Sequence, residues 1–244
     1  YLISNIALFA AVIYFYQLIK LDYADPDIAT KTIFYLLVFP TSFFFSIFYS
    51  EGLFLFLAIG CFYYARKKKW LTASLLGFFL SLTRSIGVLI IVPLLVEYFD
   101  LDIKNLRINL RKTKKDILFL LLVPLGLLTY MTFLYLKFDD FLAFSHAHKV
   151  WGRRLTTIVV TLNSLARVPR FYRLIFLSSV ILAFLILVYL GFSRIRLSYL
   201  LYFLVNFGVF LSSGLLESIP RYIAVLFPLY LGLSLLAKKY KFLE

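Results

Sequence analysis

Two side chains sit where side chains of their kind are costly. Glu51 and Arg84 each interrupt apolar runs within residues 36–98. An isolated charge in a bilayer-length apolar stretch is expensive, so such residues face a cavity or sit at a turn. Further along, a polar stretch carries His146, His148, Trp151, Arg153 and Arg154, and a short turn carries Glu217 and Arg221. A guanidinium holds a phosphate through paired hydrogen bonds, and Arg84 is the first candidate for that role. His148, Trp151 and Arg153 would add a stacking face and further donors. The competing reading makes each charge a helix cap at the water interface, with Arg84 in a salt bridge to Glu51 or Glu217. No metal is expected. His146 and His148 are two residues apart, so on a helix they point to different faces, and Asp139 and Asp140 supply no convincing third ligand.

These residues need elements that hold them, and composition says where those elements lie. With 63% hydrophobic residues, 20% aromatics and a mean hydropathy of +0.93 over 244 residues, the chain has too much apolar surface for a water-soluble globule. The net charge of +14 lies in short clusters between apolar runs, which is membrane topology rather than a nucleic-acid footprint. Cys61 is the single cysteine, so no intrachain disulfide forms and no cysteine metal site is possible. The chain opens on Tyr1 without a signal-peptide pattern and goes directly into a span, from which upstream sequence is expected.

In order, the first span is expected over 1–19, near the ~20 residues that cross a bilayer. The loop after it contains ADPD (24–27), a turn and helix N-cap rather than a calcium loop. Residues 32–64 are too long for one crossing, and Pro40 with the 49–52 cluster breaks them into a tight hairpin. Residues 71–99 pose the same question. A break at Thr83-Arg84-Ser85 puts the basic clusters at 66–69 and 104–115 on one side, as the positive-inside rule favours. These helices are short, so they must tilt or be shielded by neighbours. A span at 116–136 follows, then a loop over 137–171 in which Leu155, Ile158, Val159, Leu162, Leu165 and Ala166 share one helical face; that helix is expected to lie in the interface. Spans at about 172–190, 197–213 and 221–237 complete an all-α, polytopic single membrane domain of about nine crossings. With the N-terminus outside, 17 of the 26 basic residues fall inside, so this parity is self-consistent. It puts the C-terminus in the cytoplasm and Glu51, Arg84, the 146–154 cluster and the Glu217–Arg221 turn on the extracytoplasmic face.

Four stretches then bear on kinship: FPTSFFFSIFYSEGLFLFLA (39–58), ARKKKW with LTRSIGVLIIVPLLVEY (65–98), FLAFSHAHKVWGR (141–153) and SIPRYIAVLFPLY (218–230). As an ordered set they resemble the PIG-V-like mannosyltransferases, the group containing the second mannosyltransferase of GPI-anchor assembly and its prokaryotic relatives. The resemblance implies a GT-C fold and a glycosyltransferase that takes a sugar, typically mannose, from a polyprenyl-phosphate donor without a nucleotide sugar or other cofactor. Transfer to a lipid or protein acceptor would occur on the extracytoplasmic face, in the cell membrane of a prokaryote or the endoplasmic reticulum of a eukaryote. The resemblance also implies a catalytic Asp in the first extracytoplasmic loop, a region that would precede Tyr1, so the activity of this chain alone is left open. In that scheme Glu51, Arg84, His148, Trp151, Arg153, Glu217 and Arg221 bind substrate, the three arginines of the set hold the departing phosphate, and Glu51 positions a hydroxyl or pairs with Arg84. The alternative classes are a transporter or lipid flippase, which predicts related halves or broken helices meeting at the midplane, and a structural subunit of a membrane complex.

Overall fold

The computed structural model describes residues 1–102, 115–150, 152–193 and 195–240. It is helical throughout, and the charged side chains gather at its two ends. Helix α1 (Leu2–Asp22) leads to a turn in which the Asp25 side chain accepts a 3.0 Å bond from the Asp27 N–H. With Pro26 preset for the first helical position, that capped turn starts α2 (Pro26–Val38). A short 3-10 turn over Ser42–Phe45 precedes α3 (Glu51–Arg66), and α4 (Trp70–Thr83) returns beside it. Helix α1 packs along α3, and α4 packs against α3 and against the helix over Leu122–Phe138.

Prolines explain much of the helical punctuation. A 3-10 segment over Ser85–Ile90 passes into α5 (Ile91–Tyr98), and one over Lys115–Leu121 passes into α6 (Leu122–Phe138). Pro93 and Pro124 each stand third in the α-helical part, where no intrahelical N–H is needed, so the tighter turn hands over to the α-helix just upstream. The loop beyond α6 carries α7 (Ala143–Val150) and α8 (Ile158–Asn163), the latter continuing as a 3-10 turn to Arg167. Leu155, placed at the start of the amphipathic face, lies before that helix. There the N–H groups of Arg154 and Thr156 bond to the carbonyls of Ser213 and Ser212 at 3.3 and 3.0 Å. Ile158 and Val159 are exposed, while Thr161 is fully buried and its hydroxyl accepts the Gly214 N–H at 3.1 Å.

The last three runs are α9 (Arg170–Phe192), α10 (Leu197–Leu211) and a pair, α11 (Ile219–Ala224) and α12 (Pro228–Lys239). The expected single span over 221–237 is therefore broken at 225–227. Pro228 cannot donate to the Ala224 carbonyl, and the Tyr230 hydroxyl does so instead at 2.6 Å. The Tyr202 hydroxyl serves the Val225 carbonyl at 3.1 Å. Irregular backbone inside an apolar bundle survives only when its polar groups are met in this way. Phe227, at the break, is wedged among Phe15, Phe62, Tyr199 and Tyr202 with ring centroids 5.1–5.5 Å apart. Each such pair contributes about 0.5–1.5 kcal/mol beyond its buried area. This aromatic knot ties α1, α3, α10 and the α11–α12 break together, and its Tyr199 hydroxyl reaches Asp22 at the end of α1.

Among the described residues three helical runs, Leu2–Asp22, Lys115–Phe138 and Arg170–Phe192, are long and apolar enough to cross a membrane; several shorter apolar helices accompany them. The structure does not itself establish nine crossings. It does show that successive runs reverse between two polar ends, with α3, for example, starting at Glu51 and ending at Arg66 about 24 Å away. Parts of the sequence scheme lie outside the described residues: Trp151, Arg194, Lys241 and most of the 104–115 basic stretch.

Candidate active site

Glu51 stands in the first turn of α3, and glycine at the next position lets that turn press close. A Cβ on Gly52 would meet the Phe45 carbonyl oxygen at 2.6 Å. Arg84 closes α4 in extended backbone, at the hairpin tip expected for it. The 3-10 turn after it folds tightly back because a Cβ on Gly87 would lie 2.4 Å from the Leu80 carbonyl oxygen. These two close approaches bring the tips together. Arg84 Nη1 donates to Glu51 Oε1 at 2.9 Å.

Arg221 reaches the same carboxylate from α11, its Nε 3.1 Å from Oε1 but poorly directed for a hydrogen bond. Glu51 is buried, with 2% of its side chain exposed, and its Oε2 has no hydrogen-bond partner among the described residues. The salt-bridge reading of Arg84 is thus observed. It accounts for only part of the charge, because Arg153 joins the group. Three guanidinium carbons lie around the Tyr222 ring, at 5.0 Å for Arg84, 5.2 Å for Arg153 and 5.0 Å for Arg221. Arg84 also faces Phe54, and Arg221 faces Tyr49 and Phe44. Contacts of this kind contribute about 0.5–2 kcal/mol each, depending on desolvation. Three guanidiniums against one carboxylate leave two positive charges in surplus, at the mouth of an apolar bundle. That arrangement favours an anion with several acceptor oxygens.

Glu217 enters through its backbone. Arg153 Nη2 donates to the Glu217 carbonyl at 2.6 Å, and the Glu217 side chain is exposed. The turn that presents this carbonyl is shaped by Ser218, in left-handed backbone at φ 68°, followed by Pro220 in the first turn of α11. His146 is drawn aside to Asp140, with Nδ1 2.6 Å from Oδ2. That bond, helped by the Leu142 N–H, holds the Asp140 carboxyl below the usual carboxylate range. His148 stays nearer the cluster: partial desolvation, then the positive charges of Arg153 and Arg84, push its pKa below the usual value.

This has a testable consequence. On acidification the unfolded chain takes up a proton on His148 before the folded one does. Stability is therefore lost as pH falls through the ordinary histidine range toward the lowered folded value. A His148→Gln variant should lose less thermal stability than the wild type between about pH 7 and pH 5. Melting curves across that range check it, and parallel losses in both proteins would count against the assignment.

A second polar cluster occupies the opposite end and was not legible in the sequence. Asp22 Oδ1 accepts from Arg66 Nη2 at 2.8 Å and from Arg196 Nε at 2.8 Å, and Oδ2 accepts from the Tyr199 hydroxyl. Glu97 Oε1 accepts from Nη1 of both arginines at 3.2 Å, and Oε2 accepts from the Ser198 hydroxyl at 2.8 Å. A cavity of about 830 Å³ opens beside this cluster. Both carboxylates are fully used in clamping α1, α3, α5 and α10, so the cavity lies next to a structural lock. The surplus charge and the unmet carboxylate oxygen are at the other end, with Glu51.

The described residues thus form a helical bundle with apolar membrane-length runs and a cationic, aromatic-walled cluster at one end. The chain belongs to the Mannosyltransferase (PIG-V) family, whose sequence profile matches residues 1–152. It is thus a membrane glycosyltransferase of the mannosyltransferase type. The match contains Glu51, Arg84 and His148, whereas Arg153, Arg221 and Tyr222 lie beyond it. No curated protein and no solved structure matches the chain. Sequence reasoning missed Tyr222 and Tyr49. Tyr222 stands directly after Arg221, and an aromatic beside an isolated arginine in a turn was the signal available.

Proposed function

We propose that this protein transfers a sugar, mannose by family resemblance, from a polyprenyl-phosphate donor to a lipid or protein acceptor at the extracytoplasmic surface. The observation that carries the reading is the surplus of guanidinium charge from Arg84, Arg153 and Arg221 against the single carboxylate of Glu51. As the glycosidic bond breaks, negative charge grows on the departing phosphate, and preorganised cations in a water-poor site stabilise it most. His148 would face the ligand from the loop, and Glu217 acts by anchoring Arg153. Glu51 is assigned to orienting the arginines and a ligand hydroxyl, since both guanidiniums already use its Oε1. In this reading the C-terminus is cytoplasmic. Membership of a transferase family favours this over a transporter or flippase. The test is donor choice: membranes containing the full-length protein should transfer label from polyprenyl-phosphate mannose and not from a nucleotide sugar. Transfer from the nucleotide sugar alone would overturn the proposal.

A further inference from the structure

We infer that Tyr222 is the positioning residue of this site, its ring gathering three arginines into one phosphate cradle. The inference rests on the reading of those arginines as phosphate ligands. They come from distant parts of the chain: the end of α4, the loop before α8, and α11. Guanidiniums brought this close repel one another. The Glu51 carboxylate pairs with Arg84 and Arg221, and Arg153 is held by the Glu217 carbonyl and by the Tyr222 ring. Tyr222 meets all three guanidiniums at 5.0–5.2 Å. Its electron-rich ring attracts cations without neutralising their charge, so the surplus stays available to a ligand. A second carboxylate at this position would also hold the arginines but would halve the surplus.

The ring is itself fixed. Phe210, at the end of α10, stacks on it with centroids 5.2 Å apart and planes 26° from parallel. The Tyr222 hydroxyl accepts a long bond from Arg221 Nη2 at 3.3 Å, whereas the ring faces all three guanidiniums. Tyr222 is half-buried, so a ligand can approach the guanidiniums it holds.

The experiment titrates the full chain in lipid nanodiscs with farnesyl phosphate, a short polyprenyl monophosphate, and repeats it for Tyr222→Phe, Tyr222→Leu and Phe210→Leu. Tyr222→Phe should weaken binding by no more than about twofold, and Tyr222→Leu by about tenfold. Phe210→Leu keeps the ring but frees it, and should fall between them, which preserves the test if Tyr222→Leu folds poorly. In the transfer assay the leucine variant should raise the donor KM and lower kcat, with phenylalanine rescuing both. Equal damage from phenylalanine and leucine would overturn the role of the ring. So would wild-type binding by Tyr222→Leu when Arg84→Ala binds weakly, a result that leaves the phosphate site standing. Wild-type binding by Arg84→Ala, Arg153→Ala and Arg221→Ala alike would instead overturn the phosphate site itself.

Discussion

Replacing Arg84 with alanine is expected to reduce sugar transfer by about 100- to 1,000-fold, the usual cost of removing one group aimed at developing charge. Some stability should be lost as well, because Arg84 supplies the hydrogen bond to the buried Glu51 carboxylate and Arg221 then remains only as an ion-pair partner at 3.1 Å. Lysine at the same position should restore only part of the loss. A point charge cannot reproduce the planar guanidinium that reaches Glu51 at 2.9 Å and lies 5.0 Å from the Tyr222 ring centroid. The check is initial transfer rate per folded molecule at saturating donor, with protein amount normalised by a gel-filtration peak. A wild-type rate in Arg84→Ala would mean that the residue serves only as the structural partner of Glu51.

The largest effect on stability is expected at the other end of the bundle. Glu97 is 2% exposed in its side chain and receives Arg66, Arg196 and Ser198. Truncating it to alanine leaves two guanidiniums sharing Asp22, and breaking a buried pair in this way costs about 3–5 kcal/mol. Removing charges from both sides is different: a Glu97→Met and Arg196→Met double variant should recover part of the loss, because no buried charge is then left unpaired. Thermal denaturation in detergent measures both. Since the lock lies at the opposite end from Tyr222, the rate per folded molecule in Glu97→Ala should stay near wild type. An unchanged melting temperature would show that solvent, not the ion pairs, satisfies these groups.

Local signals in the sequence found the hairpin tips and offered the Glu51–Arg84 pair, but not the aromatic ring around which the arginines gather. The run 36–98 reads as two hairpins because Pro40, the 49–52 cluster and Thr83-Arg84-Ser85 interrupt its apolar pattern, and the structure turns at each of those places. The ADPD turn was legible for the same reason, since cap and proline are neighbours in sequence. The break at 225–227 was not, because Pro228 sits inside an otherwise span-like run and the hydroxyls that make the break tolerable come from Tyr202 and Tyr230. Asp22 and Arg196 are 174 residues apart, and no periodicity records such a pairing. The positive-inside count takes Arg196 as one more cytoplasmic anchor, which is how most basic residues at span ends behave. The candidate site is legible by types of residue, as isolated charges at helical turns beside a polar loop, whereas the aromatic at its centre is recognisable only once the three arginines are seen around it.

The central claim is that the cluster of Glu51, Arg84, Arg153, Arg221 and Tyr222 is where a polyprenyl phosphate binds. Photocrosslinking with a diazirine analogue of farnesyl phosphate, followed by peptide mapping, tests it directly. The account predicts label in the segments 49–54, 84–90 and 218–224, lost on competition with unlabelled farnesyl phosphate and reduced in Arg84→Ala. Label confined to the segments around Asp22, Glu97 and Arg196 would contradict it and move the ligand to the opposite end of the bundle.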